Sequence, residues 1–206
     1  MKIEIRSANE AHISGYINAV ERDSRVLPKQ MCPKATSDFV EKVSAGAFGR
    51  AISRNPNVRM LLDHGREVGS VGGGTLKLRE DAIGLHGEAV ITDPETVQAA
   101  REGRLMGWSF GFEKAHDSWE PYREGVQRRT LLDFDLAEVS ILTKTPAYIG
   151  TSVETRAAAD GVSVMERRGF DDNVEVTDMS NSDENKSTMA AFYGKQLEIL
   201  KYKGEM

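Results

Sequence analysis

The sequence predicts a mainly β domain with one or two helices (α+β), followed by a flexible C-terminal tail. Three observations carry this. Strand-like runs outnumber helical patterns, and the two do not alternate as a doubly wound sheet demands. Only the segment opening at Asp93-Pro94-Glu95 has a full set of helix start signals. After about residue 155 the chain becomes rich in Asp, Asn, Ser and Glu, the composition of a segment without its own core.

The elements follow in order. Residues 2–6 alternate polar and apolar as a half-buried strand does, and His12 to Val20 continues in that style, with Gly15 expected as a bulge. Residues 21–36 hold Pro28, Pro33 and many polar groups and read as a loop. Ser44 to Arg54 fits a short helix that stops before Pro56. Val58 to Leu62 is a compact strand ending at Asp63-His64-Gly65. Strand character resumes from Val68 to Leu78, with Gly72-Gly73-Gly74 as a flexible strand or turn. The run lacks the Gly-Lys-Ser/Thr ending of a phosphate loop. Leu85 to Ile91 is another strand.

Asp93 is then the N-cap of the clearest helix, with Val97, Ala100 and Leu105 at roughly helical spacing and Gly103 at its end. Met106 to Phe112 is strand-like, and a polar stretch with Trp119, Pro121 and Tyr122 follows. Thr130 to Leu142 is a long strand with a bend expected at Asp133-Phe134-Asp135. The division expected is a domain over residues 1–155, an acidic linker over 156–188, and a C-terminal helix within 189–206.

Composition excludes several function classes. The 206 residues carry a net charge of −5, without the basic stripe of a nucleic-acid binder. Arg128-Arg129 and Arg167-Arg168 read as isolated, solvated pairs. Cys32 is the only cysteine, which rules out an internal disulfide and fits a reducing compartment. The longest apolar runs are far short of a membrane span, and the first residues lack an apolar signal region, so a soluble intracellular protein is expected. The four histidines are scattered without metal-ligand spacing, so no metal and no cofactor are expected.

The chemistry concentrates in two segments. Gly107-Trp108-Ser109-Phe110-Gly111 matches the Gly-x-Ser-x-Gly nucleophile elbow. The elbow needs a helix after the serine and a histidine late in the chain. Here strand signals follow Ser109, and only His116 comes after it, so the α/β-hydrolase reading fails on order and context. His64, at the end of Met60-Leu61-Leu62-Asp63, is the better partner: its imidazole can take the proton of an attacking hydroxyl. Adjacent strand residues point to opposite faces, so Asp63 is not expected to meet it. A third group should fix the imidazole tautomer. In Leu136-Ala137-Glu138-Val139-Ser140-Ile141-Leu142, Glu138 shares a face with Leu136 and Ser140. That face is either wet, or it holds an acid that needs a buried partner. Asp133 and Asp135 are competitors.

In order, these segments resemble the prohead (capsid maturation) serine proteases of tailed bacteriophages, relatives of the herpesvirus assemblins. The likeness rests on Ser14-Gly15-Tyr16, Ala45-Gly46-Ala47-Phe48, Met60 to His64 and Gly84-Leu85-His86-Gly87. It continues through Gly107 to Phe112, Leu136 to Leu142 and Thr145-Pro146-Ala147, covering about residues 12–155. Tyr148 stands where the phage family commonly has Asn. Lys144 stands near the place where the assemblins carry an arginine pair.

The resemblance implies a β-barrel surrounded by short helices. It implies a serine endopeptidase with His64 as base, Ser109 as nucleophile and Glu138 as third member. Backbone N–H groups around Thr143 to Thr145 are the candidate oxyanion donors. It implies the major capsid protein or a scaffolding protein as substrate, self-cleavage, self-association, and a location inside the immature capsid in the host cytoplasm. The rival readings are a catalytically inactive internal scaffold of the prohead and an esterase-type serine hydrolase, the latter weakened by residue order.

Overall fold

The computed structural model describes residues 1–143, 153–158, 161–171 and 173–180. The expected C-terminal helix within 189–206 lies outside the described residues. No described helix is long and apolar enough to cross a membrane.

The described residues are mainly β with two α-helices. Its strands are β1 Lys2–Ser7, β2 Glu10–Ala19, β3 Asp38–Val43, β4 Arg59–Leu62, β5 Arg66–Ser70 and β6 Leu76–Glu80. They continue with β7 Gly84–Ile91, β8 Gly107–Arg123, β9 Val126–Leu142, β10 Val153–Ala158, β11 Gly161–Asp171 and β12 Glu175–Asp178. The helices are α1 Ala47–Arg54 and α2 Pro94–Arg101. One sheet runs β12-β1-β2-β7-β6, and the other β10-β11-β8-β9-β4-β5, with β3 also on β9. Among the described residues neither sheet closes into a barrel. A single bridge, Val20 to Val43, joins the two.

The core fills the space between the sheets. Ile3, Ile5, Ala11, Ile13 and Ile17 face Trp108, Phe110, Phe112, Val139 and Ile141 within one buried cluster. Phe48 of α1 lies edge-on to Phe110 and Phe134, with ring centroids 5.2 Å apart in both pairs. Such pairs add to the area they bury.

Several elements differ from expectation. The irregularity of β2 falls between Tyr16 and Asn18 rather than at Gly15. Gly72 to Gly74 form the turn, not the strand, of the two forms expected, and it passes the chain from β5 in one sheet to β6 in the other. The polar stretch after Phe112 is the second half of β8, zipped to β9 as far as Arg123↔Val126. The bend expected in β9 is a bulge, with Asp133 opposite His116 and register shifts on both sides of the pair.

The stretch expected as a linker from 156 also holds strands. β11 pairs antiparallel with β8, from Glu166↔Phe112 to Asp171↔Gly107, and β12 runs parallel to β1. Met165, Glu166, Arg167 and Arg168 are buried there.

The arginine pairs are the main correction. Arg129, Arg167 and Arg168 are buried, because each finds carboxylates inside the fold. Arg129 donates to Asp117 at 2.7 Å, to Glu41 at 3.0 Å and to Glu166 at 2.5 and 2.8 Å. Arg168 donates to Glu41 at 2.6 Å and to Glu166 at 2.7 Å. Arg128 bonds Asp23 and Glu120 nearer the surface. Buried guanidinium groups are tolerated only when paired in this way.

Candidate active site

Four adjacent strands, β11-β8-β9-β4, build the site on the sheet face turned away from the aromatic core. Alternation along β8 sends Trp108, Phe110 and Phe112 inward and leaves Ser109 and Gly111 on the other face. Register then selects their neighbours. Ser109 lies opposite Ser140 of β9 and Gly169 of β11, and Gly111 lies opposite Glu138 and Arg167. Glu138 and Ser140 therefore share a face with Ser109, while Val139 and Ile141 fill the core.

His64 reaches this face from the end of β4. Asp63 and His64 take left-handed backbone angles, φ 48° and 60°, which turn the chain sharply after Leu62. The turn is tied down from both sides. Asp63 N–H donates to the carbonyl of Ile141 at 2.9 Å. Its carboxylate accepts from Thr143 N–H at 2.8 Å and from the Thr143 hydroxyl at 2.6 Å. Asp63 thus anchors the turn and does not orient the histidine.

The imidazole Nδ1 lies 2.8 Å from Glu138 Oε1 and 3.0 Å from Ser140 Oγ. The Glu138 side chain is 1% exposed and that of His64 23%. Arg167 Nε donates to the same Oε1 at 3.0 Å. Burial by itself would push the Glu138 carboxyl up. The bonds from His64 and Arg167, with the Arg167 charge, outweigh it and hold the group below the usual carboxylate range. An ionised carboxylate only accepts, so the proton between the two groups sits on Nδ1. Nε2 is the ring nitrogen that Glu138 does not engage.

Ser109 Oγ is buried and has no hydrogen-bond partner among the described residues. Ser140, its cross-strand neighbour, touches His64, so hydroxyl, imidazole and carboxylate occupy one patch of the sheet. The patch combines an imidazole, an ionised acid behind it and an unengaged hydroxyl. Those are the parts of a nucleophilic acyl-transfer site.

The sequence-predicted residues thus assemble in part. His64 and Glu138 are in contact, and Ser109 lies one strand away on the same face. Asp133 and Asp135 are engaged elsewhere, with Arg54 at 2.9 and 3.3 Å. His12 pairs with Glu10, and His86 packs edge-on against Tyr16. Burial pushes the Cys32 thiol up, away from a reactive thiolate. No cluster of metal-ligating side chains occurs among the described residues. Thr143 N–H is already bonded to Asp63, while Lys144 and Thr145, the other candidate oxyanion donors, lie outside the described residues.

Two contributors escaped the sequence reading. Ser140 was visible only as a face-mate of Glu138. Arg167 carried no signal, because a charged pair in a polar stretch looks solvated. Only the pairing of β11 with β8 brings it to Glu138.

No curated protein and no solved structure matches the chain. The model of one family, described as caudovirus prohead serine protease, matches residues 1–167. With most of its length covered, the chain belongs to the caudovirus prohead serine protease family.

Proposed function

We propose that this chain is an active serine endopeptidase with Ser109 as nucleophile, His64 as general base and Glu138 as the acid that holds the imidazole. The contact of His64 Nδ1 with Glu138 Oε1 at 2.8 Å, on the sheet face that carries Ser109, is the observation that carries this reading. Ser109 Oγ attacks the peptide carbonyl carbon as its proton passes to His64 Nε2. The C–N bond breaks as the imidazolium returns that proton to the leaving amine. Water then attacks the acyl carbon with its proton taken by the same nitrogen; the C–Oγ bond breaks, the imidazolium returns the proton to Ser109 Oγ, and the carboxylic acid leaves. Glu138 stays ionised throughout and stabilises the imidazolium.

The substrates in this reading are the major capsid protein or a scaffolding protein inside the immature shell, and the chain itself. Confinement within the shell limits hydrolysis to an enclosed, concentrated substrate. The protease domain, residues 1–155 by sequence, takes in β11 as well, because Arg167 reaches Glu138 from there. Kinship with the assemblins and their barrel belongs to the same proposal, supported by the Val20–Val43 bridge between the sheets.

Co-expression with the neighbouring capsid protein tests the assignment. Wild type should yield capsid and self-cleavage fragments by mass, and Ser109→Ala should yield none. His64→Ala should lose nearly as much, because members of such a unit are not additive. Equal processing by Ser109→Ala would refute the assignment. Absence of processing by wild type would favour the inactive scaffold.

A further inference from the structure

We infer that Arg167 is a positioning residue of this site: from β11 it holds Glu138 against His64, so the site is complete only while β11 is docked beside the Ser109 strand. The inference rests on the roles proposed above for Ser109, His64 and Glu138. The Arg167 side chain is 3% exposed, and its Nε and His64 Nδ1 converge on one oxygen, Glu138 Oε1, at 3.0 and 2.8 Å. In the β8–β11 register Arg167 lies opposite Gly111, and Gly111 lies opposite Glu138. A glycine at that point keeps a side chain out of the way. A Cβ on Gly111 would sit 2.8 Å from Glu138 Cγ and 3.1 Å from Oε1.

β11 is well fastened for this task. Its residues alternate, so Glu166 and Arg168 face the opposite side from Arg167. There they enter the buried ion-pair cluster with Arg129 and Glu41. One face of the strand is locked by charge pairs, and the other presents a guanidinium to the acid.

A guanidinium keeps its proton at any working pH. Beside Glu138 it does two things. It offsets burial, so the carboxylate stays ionised. It also balances part of the carboxylate's charge where His64 meets it. Among the described residues the other charges nearby are exposed or committed. Arg59, the register partner of Glu138 on β4, is exposed, as is Glu67 of β5. Asp63 is held by Thr143, and Arg66 by Asp93 and Glu95. β8 places Ser109 and Gly111 beside Glu138, and Glu113 two residues further on, opposite Asp135 of β9.

The test is a pH profile of the full chain, read both as fluorophosphonate labelling of Ser109 and as cleavage of purified capsid protein. Activity requires ionised Glu138 and neutral His64. Removing Arg167 takes away a charge that holds the Glu138 carboxyl down, so the acid limb moves to higher pH. Arg167→Met should lower kcat/KM about tenfold to a hundredfold and move that limb up by about one unit. Arg167→Lys keeps the charge and should hold the limb near its wild-type position. In a Glu138→Gln background, Arg167→Met should add less than about threefold.

An unmoved acid limb, with an undiminished loss in the Gln background, would make Arg167 merely structural and overturn the inference. Thermal melting reports folding. If Arg167→Met does not fold, the limb of Arg167→Gln against that of Arg167→Lys decides in its place. Ser109→Ala separates the two failures. Processing by Ser109→Ala sinks the reading of the site, whereas an inactive Ser109→Ala beside a wild-type-like Arg167→Met sinks only this inference.

Discussion

Asp63 and His64 are L-residues in the left-handed region, a conformation that costs roughly 1–2 kcal/mol per residue. The cost is offset where the Asp63 carboxylate takes two hydrogen bonds from Thr143. Asp63→Ala removes both and should destabilise the turn by about 1–3 kcal/mol. Processing should fall while most of the fold survives, which circular dichroism and fragment yield together would show. Gly111→Ala is sharper. Its methyl group would meet Glu138 and push the acid off His64, so loss of processing is expected without unfolding. A fully active Gly111→Ala would mean that Glu138 can move freely.

At this scale the sequence was informative about Ser109, His64 and Glu138, because few arrangements place a hydroxyl, an imidazole and an acid at strand positions. It could not distinguish a wet Glu138 from a partnered one, because the partners lie on other strands.

At the scale of elements, helix α1 has an N-terminus that its own sequence does not explain. Gly46 precedes it at φ 82° and supplies no side-chain cap. Glu80, from β6, accepts from Gly46 N–H at 2.7 Å and from Gly49 N–H at 2.6 Å. A carboxylate there satisfies orphan donors and complements the positive helix end. Glu80→Ala should cost about 1 kcal/mol, read from denaturant unfolding. Helix α2 is capped locally: Asp93 accepts from Thr96 N–H at 2.8 Å, and this helix start was readable in advance.

Strands β3 and the outer half of β8 were not readable. Phe39 and Val40 of β3 are both buried, which hides the period-two pattern. Residues 113–120 of β8 alternate half-buried with exposed positions, but most are polar, so the alternation leaves no trace in hydropathy.

At the scale of the molecule, the buried ion-pair cluster ties β3, β8, β9 and β11 together. Arg129→Met would leave Glu41, Glu166 and Asp117 without their shared partner, and a loss of about 3–5 kcal/mol is expected. Thermal or denaturant unfolding would measure it.

The cluster also sets a pH dependence. Burial pushes Glu166 and Asp117 up, but their cationic partners more than offset this and hold both below the ordinary carboxylate range. Glu138 behaves alike. Folded groups that bind protons more weakly than the unfolded chain contribute stability above the unfolded values, about 4. That stability is lost as pH falls through the lower folded values. Melting temperature should therefore drop steeply below about pH 4. In Arg129→Met the drop should begin at higher pH, because Glu166 and Asp117 lose the charge that held them down.

The sequence by itself determined the mainly β character and the capped helix at Asp93, and it singled out His64, Ser109 and Glu138 as the candidate site. Each depends on local pattern or on the chemical identity of a side chain. Tertiary structure alone decided that Ser140 and Arg167 join them, and that three of the four arginines read as solvated lie inside. Whether a charge is buried depends on partners brought up by strand pairing between distant segments. No local property of Arg167-Arg168 reveals that Glu138 and Glu41 will be waiting.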